Sequence, residues 1–389
     1  METLVSIWHG RRVLVTGHTG FKGSWLSLWL HRMGAEVTGF ALPPPTAPSL
    51  FALARLDELV AHVEGDVRDL DAVRAAVGAA RPEVIFHLAA QPLVRLSYRE
   101  PVETYATNVM GTVNLLEAAR RSTSVGAIVC VTSDKCYENR EWIWPYREND
   151  PMGGHDPYSS SKGCAELVTA AWRRSFFADG GPLLASVRAG NVIGGGDWAA
   201  DRLLPDLIRA FTAGKPPVVR SPNSVRPWQH VLEALSGYLM IAERLLGGER
   251  RFADGWNFGP SEDDARPVSW IVERMRETWG GTTDAVRHDG AKQPHEAGLL
   301  RLDCSKARAA LGWRPLLSLE QALDWIVDWH SQVAAGGDAR TVSLDQLDRY
   351  TATLNAAKRP VADLARQRRA LGETSPGYAR NSCRSRSVA

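Results

Sequence analysis

The sequence predicts an α/β protein, a Rossmann-type doubly wound parallel sheet followed by a smaller, mixed C-terminal lobe. Three observations carry that expectation. Short apolar runs of strand length alternate with amphipathic, helix-length segments from residue 12 to about 194. The first apolar run leads directly into a glycine-rich turn, Gly17-His18-Thr19-Gly20-Phe21-Lys22-Gly23. Beyond Gly196 the rhythm becomes irregular, with short helices set between Pro-rich loops such as GKPPVVRSPNSVRPW.

Taken in order, Val13–Val15 reads as the first strand. A helix follows, with apolar residues at Trp25, Leu26, Leu28, Trp29 and Leu30, and Val37–Ala41 is the second strand. The loop PPPTAPS (43–49) closes this βαβ unit. VEGDVRD (63–69), a helix near 70–80 and the strand EVIFHLAA (83–90) come next. The spacing predicts one long helix over Val102–Arg121, a strand AIVCVTS (127–133), a second long helix from about Tyr158 to Phe177, and a strand LLASVRAGNVIG (183–194). The lobe is assembled from helices Leu203–Thr212, His230–Leu246 and Trp270–Trp279, the strand-like WNFGP (256–260) and the closing helix SLEQALDWIVDWHSQV. The expected divisions are 1–196 for the sheet domain, 197–335 for the lobe (with strands able to return to the sheet), and 336–389 for a C-terminal extension. That extension is Arg-rich and expected to be mobile from about residue 355.

Bulk properties narrow the function classes. Hydrophobic residues at 44% and charged residues at 23% suit a soluble globular chain, and a net charge of +2 gives no reason to expect nucleic acid or membrane as a partner. No apolar run reaches the roughly 20 residues of a membrane span, and METLVSIWHGRR carries no secretory h-region. Five cysteines without a CxxC pair point to a reducing compartment, so the expected location is cytoplasmic. No His/Cys spacing suggests a metal site. The 14 tryptophans are read as core or subunit-interface residues.

The glycine turn sits between a strand and a helix. Gly17, Gly20 and Gly23 let backbone approach a pyrophosphate, and the helix N-terminus supplies free N–H groups, with Thr19, Phe21 and Lys22 in the same turn. This predicts dinucleotide binding. Neither an acid nor an arginine stands at the end of the second strand (GFALPPP), which favours NAD over NADP only weakly; Asp66 and Val67 are placed near the adenine edge. Tyr158 and Lys162 are four residues apart on a helix, so phenol and ammonium share a face. The expectation is that the cation lowers the phenol toward working pH, so that Tyr158 removes a hydroxyl proton as hydride leaves the same carbon. Ser133, a hydroxyl residue at a strand end upstream, completes that constellation.

With these motifs the chain resembles the extended short-chain dehydrogenase/reductase family. The matching stretches are TGHTGFKG, HLAAQ (87–91), TNVMGTVNLLEAA (107–119), YSSSK and RAGNVIGGGD (188–197), with weaker likeness in RPWQHVLE, WNFGP and LGWRP. Within the family it is most similar to the CDP-glucose 4,6-dehydratases, through GFKGSWL, ALPPPTAPSLF, VTSDKCYEN, GGGDWAADRLLPD and PHEAGLLRLDCSKARAALGW.

The resemblance implies tightly bound NAD, CDP-glucose as substrate, and a sequence of C4 oxidation, loss of water across C5/C6 and hydride return to C6. It adds Leu88, Ala89, Ala90, Gln91 and Thr107 to the cofactor contacts. It implies that Asp134 is the acid at the C6 oxygen, and it puts Lys135 where many relatives carry a glutamate as C5 base. A lysine there is either the base or an electrostatic stabiliser of the enolate. Asn108, Asn191 and Arg226 are carried over as substrate-side residues, with Arg209 and His295 as weaker candidates. A homodimer or homotetramer is expected. A 4-epimerase or another sugar-nucleotide dehydratase on the same fold is the competing reading, and a non-catalytic NAD-binding protein is a third.

Overall fold

Seven strands form the central sheet of the computed structural model, which describes residues 7–280, 287–288 and 298–370; the side chains at 263, 287, 288 and 358–370 are outside the description. The strands are β1 (Arg12–Thr16), β2 (Glu36–Ala41), β3 (Ala61–Glu64), β4 (Val84–His87), β5 (Ala127–Val131), β6 (Leu183–Ala189) and β7 (Gly255–Phe258). Their order is β7-β6-β5-β4-β1-β2-β3, and every neighbouring pair is parallel. β4, β5 and β6 are buried along their whole length, as expected for strands covered by helices on both faces. β7 comes from beyond residue 196 and returns to the sheet beside β6.

The order reverses between β1 and β4, so the carboxyl ends of these two strands open a crevice, the usual ligand position in open α/β sheets. Register brings the chemistry there. Thr16 pairs with His87, His87 with Cys130, and Val131 with Val187, so the segments after β1, β4 and β5 emerge along one edge.

The main helices of the first part are α1 (Phe21–Arg32), α2 (Leu70–Ala80), α3 (Pro101–Tyr105), α4 (Gly111–Arg120) and α5 (Pro157–Ser175), with short helical turns at Leu50–Leu53 and Val94–Arg99. One core packs α2 and α4 against the sheet through Leu14, Val73, Val77, Ile85, Leu115, Leu116 and Ile128. Two elements at the functional edge differ from the sequence expectation. The long helix over 102–121 is interrupted by a π-helical turn, Ala106–Met110, between α3 and α4. The strand over 183–194 stops at Ala189 and resumes as Val192–Ile193, which pairs with Gln229–His230 instead of the main sheet. Both interruptions lie at the functional edge, where such irregularities concentrate.

A second core joins α6 (Leu203–Thr212), α8 (Val268–Trp279) and α9 (Leu319–Ala334) through Leu207, Ile208, Phe211, Ile271, Met275, Leu323 and Ile326. Helix α7 (Val231–Leu246) is almost wholly buried and packs on β5 and β6. Trp8, Trp25, Trp256, Trp313 and Trp329 are fully buried, whereas Trp142 and Trp144 are exposed. The described residues up to Leu347 form one compact unit and those from Asp348 another. A last helix, Ala339–Ala370, continues past residue 355, where the sequence reading began the Arg-rich tail.

Candidate functional site

Gly17 stands directly after β1 with φ +75°, a conformation that favours glycine, and a Cβ there would lie 2.7 Å from the Ala89 amide nitrogen. The loop after β1 therefore touches the loop after β4. At Gly23 a Cβ would lie 2.1 Å from the Gly17 carbonyl oxygen, which lets α1 start tight against the turn. Helix α1 has no side-chain cap and no acidic residue in its first turn. Its orphan N–H groups and partial positive charge face the crevice, an arrangement that fits the pyrophosphate of a dinucleotide.

The other predicted cofactor residues are placed around this turn. Thr19 spends its hydroxyl on the Leu42 carbonyl (2.9 Å) and so pins the turn to the end of β2. His18 lies under Gly39, packs edge-on to Phe51 and bonds His62 at 2.7 Å. Lys22 is brought down to about 7, by burial first and then by the neighbouring cations of Lys162 and Arg202, against Asp134 and Asp197. The Asp66 carboxylate is held below its ordinary range by the Arg68 guanidinium, whose Nε donates to it at 2.8 Å. Val67 is buried against Gly111, and its carbonyl accepts from Asn114 (2.9 Å). Leu88, Ala89 and Ala90 line the half-buried loop after β4.

Asn108 lies in the π-helical turn beside Thr107 and spends its amide within the protein. Its Oδ1 accepts from the Gln91 backbone (2.8 Å), while Nδ2 donates to the Gln91 carbonyl (3.1 Å) and to Ser161 Oγ (2.8 Å). It therefore ties the loop after β4 to α5 and orders the backbone beside the tyrosine; it does not present an open group to a ligand. Gln91 is likewise engaged, donating to Thr104 Oγ1 (2.9 Å).

Beyond β5 the chain turns through Asp134–Cys136, capped by Ser133, whose Oγ accepts from the Lys135 amide (3.3 Å). Ser133 Oγ also donates to Asp134 Oδ1 at 3.0 Å. Asp134 is 2% exposed, and burial raises it above the usual carboxylate range, with Lys135, Ser133 and Arg226 opposing. Burial of this kind favours the neutral form of a carboxyl, the direction that suits an acid catalyst. Gly190 leaves it room, because a Cβ there would sit 3.0 Å from Asp134 Oδ2 and 2.6 Å from Pro227 Cγ.

Tyr158 and Lys162 lie on the buried face of α5, reached from Asp156, whose carboxylate caps the helix at the Ser159 amide (2.9 Å). The expectation that the lysine lowers the phenol is corrected here. Tyr158 is pushed up to about 12, because burial outweighs the Ser133 hydrogen bond and the Arg202 charge that pull it down. Lys162 is itself brought down to about 8 by burial, and its Nζ donates to the Val131 carbonyl at 3.5 Å.

Among the candidate substrate residues, Arg226 is buried and within the field of Asp134. Asn191 is half-buried at the break after β6, and its carbonyl accepts from the Gln229 amide (3.1 Å). Arg209 is turned to its own surroundings, donating to the Trp198 carbonyl (2.9 Å) and pairing with Asp206. His295 lies outside the described residues. Arg202, which the sequence reading did not assign, acts on both Tyr158 and Lys22 and is paired with Asp197 at 3.2 Å. Its only signal was its place in GGGDWAADRLLPD. Among the described residues no cluster of His, Cys, Asp or Glu is arranged to hold a metal ion.

Comparison with known proteins shows the family. The family model for GDP-mannose 4,6 dehydratase matches residues 14–325. A CDP-glucose 4,6-dehydratase of Salmonella typhimurium is 55% identical over 350 residues, covering 89% of this chain and 97% of that protein. A dTDP-glucose 4,6-dehydratase of Haemophilus influenzae is 24% identical, covering 82% and 97%. Among solved structures, a double mutant of the Streptomyces venezuelae dTDP-glucose 4,6-dehydratase, solved with NAD bound, superposes with a TM-score of 0.72 at 24% identity, over 85% of this chain and 99% of that one. The UDP-glucose 4-epimerase of Thermotoga maritima gives 0.71 at 22%, over 83% and 99%. The chain belongs to the GDP-mannose 4,6 dehydratase family of NAD-dependent sugar-nucleotide enzymes.

Proposed function

We propose that this chain is a CDP-glucose 4,6-dehydratase, a hydro-lyase that converts CDP-D-glucose to CDP-4-keto-6-deoxy-D-glucose. The observation that carries the reaction is the buried Asp134, raised by its burial and hydrogen-bonded to Ser133 at the strand end facing Tyr158. A reductase or epimerase needs the Tyr158–Lys162 pair but no second acid. The choice of the cytidine sugar is supported by the 55% identity to the Salmonella enzyme.

Gly17, Gly20, Gly23 and the α1 N-terminus would hold NAD, which would supply a reversible hydride acceptor for the oxidation at C4 and the reduction at C6. Tyr158, oriented by Ser133, would take the proton of the sugar 4-hydroxyl as its phenolate, the form that the Ser133 hydrogen bond and the Arg202 charge favour against burial. The resulting 4-ketone acidifies the C5–H bond, since the carbanion left is an enolate. The C5 proton passes to Lys135 or to a water that Lys135 holds, and Asp134 gives its proton to the departing C6 hydroxyl, which leaves as water. The sugar gains the C5–C6 double bond that is later reduced. Arg226 and Asn191 hold the diphosphate side, guanidinium being suited to bidentate phosphate contact. Residues 197–335 act as the substrate lobe.

A homodimer, or a tetramer built from it, accounts for the exposed apolar residues Tyr98, Val102, Tyr105 and Met110 in and on either side of α3, together with Leu167 on α5, with Val102 81% exposed. No helix among the described residues is long and apolar enough to cross a membrane, and the enzyme is read as cytoplasmic.

The test is a substrate panel. Purified protein with NAD⁺ should convert CDP-glucose to a product that develops a 4-keto chromophore in alkali, faster than dTDP-, GDP- or UDP-glucose. Turnover in deuterated solvent should place deuterium at C5. Absence of the chromophore with CDP-glucose overturns the reading.

A further inference from the structure

Behind the catalytic groups lies a buried polar network that the reaction steps above do not use. Glu166 stands four residues after Lys162 and eight after Tyr158 on α5, so the three side chains share one face. Its carboxylate and the Arg188 guanidinium are 2.8 Å apart, with only 4% and 5% of the two side chains exposed. The same carboxylate accepts from Thr132 Oγ1 and from Ser186 Oγ (2.7 Å). Arg188 also donates to Tyr137 Oη (2.7 Å) and to the Glu148 carbonyl (3.0 Å). Tyr137 in turn donates to Asn257 Oδ1 (2.7 Å) on β7.

A buried ion pair that merely clamps a helix to a sheet is common and is often no more stabilising than apolar packing. This one is distinguished by what it joins. Thr132 is the residue immediately before Ser133, Tyr137 follows Lys135 by two positions, and Lys162 is one helical turn from Glu166. One carboxylate thus sets the spacing between the redox pair on α5 and the elimination triplet after β5.

We propose that Glu166 is a positioning residue of the dehydratase reaction, fixing α5 against the 132–137 segment while keeping a buried negative charge behind the Lys162 ammonium. The inference rests on the reading of Tyr158 and Lys162 as the redox pair. Around Lys162 the facing groups are Glu166 on its own helix, Cys130 on β5, Cys136 in the turn after it, and the cations or potential cations Lys22 on α1 and His87 on β4. Glu166 is first among those that favour the charged lysine. Burial already disfavours the ammonium, so removing the Glu166 charge lets Lys162 lose its proton at lower pH.

Glu166→Gln tests this with two readouts. Its kcat should fall roughly 10–100-fold, as for outer partners of a catalytic site, with KM for CDP-glucose little changed. The Lys162 titration midpoint, followed by NMR of isotope-labelled lysine and assigned with Lys162→Met, should move to lower pH, and the alkaline fall of kcat should move with it. If the single variant does not fold, Glu166→Gln combined with Arg188→Met removes the ion pair without leaving a lone charge, and the lower midpoint is expected there too. A folded variant whose Lys162 midpoint and alkaline limb coincide with the parent's overturns the proposal. The NMR midpoint needs no turnover, so it stays informative if the parent protein fails to act on CDP-glucose, an outcome that would strike the functional reading instead.

Discussion

Ser133 donates its hydroxyl proton to Asp134 at 3.0 Å, and that carboxyl, 2% exposed, is raised above the ordinary carboxylate range by its burial. The proposed oxidation and elimination steps would therefore meet in adjacent residues, Ser133 beside Tyr158 and Asp134 beside Ser133.

Replacing the acid should separate the two halves of the reaction. In Asp134→Asn the 4-hydroxyl is still oxidised but the C6 oxygen departs unassisted, so turnover should fall by roughly 10²–10⁴. Reduced cofactor should then build up on mixing with CDP-glucose, read by its near-ultraviolet absorbance. A variant that turns over at the parent rate would remove Asp134 from the step.

Tyr158→Phe should lose the oxidation itself, again by roughly 10²–10⁴ in kcat. No reduced cofactor should appear in a single-turnover mix, which sets this variant apart from Asp134→Asn.

Lys162 is held at about 8, well below its ordinary value of 10.5, because burial penalises the ammonium. Between about 8 and 10.5 the unfolded chain binds the extra proton, so stability rises with pH across that window, and below it the full penalty is present. Lys162→Met should consequently stabilise the fold at neutral pH, by an amount on the order of 2–3 kcal/mol, while abolishing activity. Thermal melts at neutral and alkaline pH check the sign. An equal melting shift at both would deny the linkage.

Gly17→Ala places a methyl group 2.7 Å from the Ala89 nitrogen in a left-handed backbone conformation. Separation of the loops after β1 and β4 should weaken NAD binding by at least an order of magnitude (about 1.4 kcal/mol or more), measured by calorimetry. Gly190→Ala crowds Asp134 instead, and should lower kcat with NAD binding preserved.

Val102, 81% exposed on α3, is the position where a charge should act on assembly. Val102→Arg should shift the protein to monomer in sedimentation velocity with its circular dichroism unchanged.

Much of this architecture was legible in the chain. The apolar runs that became β1, β2, β4, β5 and β6 are strand-length and bounded by turns, and helix Leu203–Thr212 has the expected limits. The strand–turn–helix at Gly17–Gly23 and the four-residue spacing of Tyr158 and Lys162 are local patterns, so composition and period suffice to find them. The π-helical turn at Ala106–Met110 was not visible, because its altered backbone bonding leaves the apolar period nearly intact. The helix Ser305–Leu311, only two turns long, was missed for want of a period. Arg202 and Glu166 lie far along the chain from Ser133, and nothing local announces that they share its surroundings.

The sequence by itself determined the sheet, the dinucleotide turn and the identity of the residues able to move protons. Tertiary structure decided their charge states. Lys162 was expected to pull the Tyr158 phenol down, yet enclosure pushes Tyr158 up to about 12 and Lys162 down to about 8. The physical reason is that desolvation depends on everything packed around a group, whereas a sequence reveals only its neighbours along the chain.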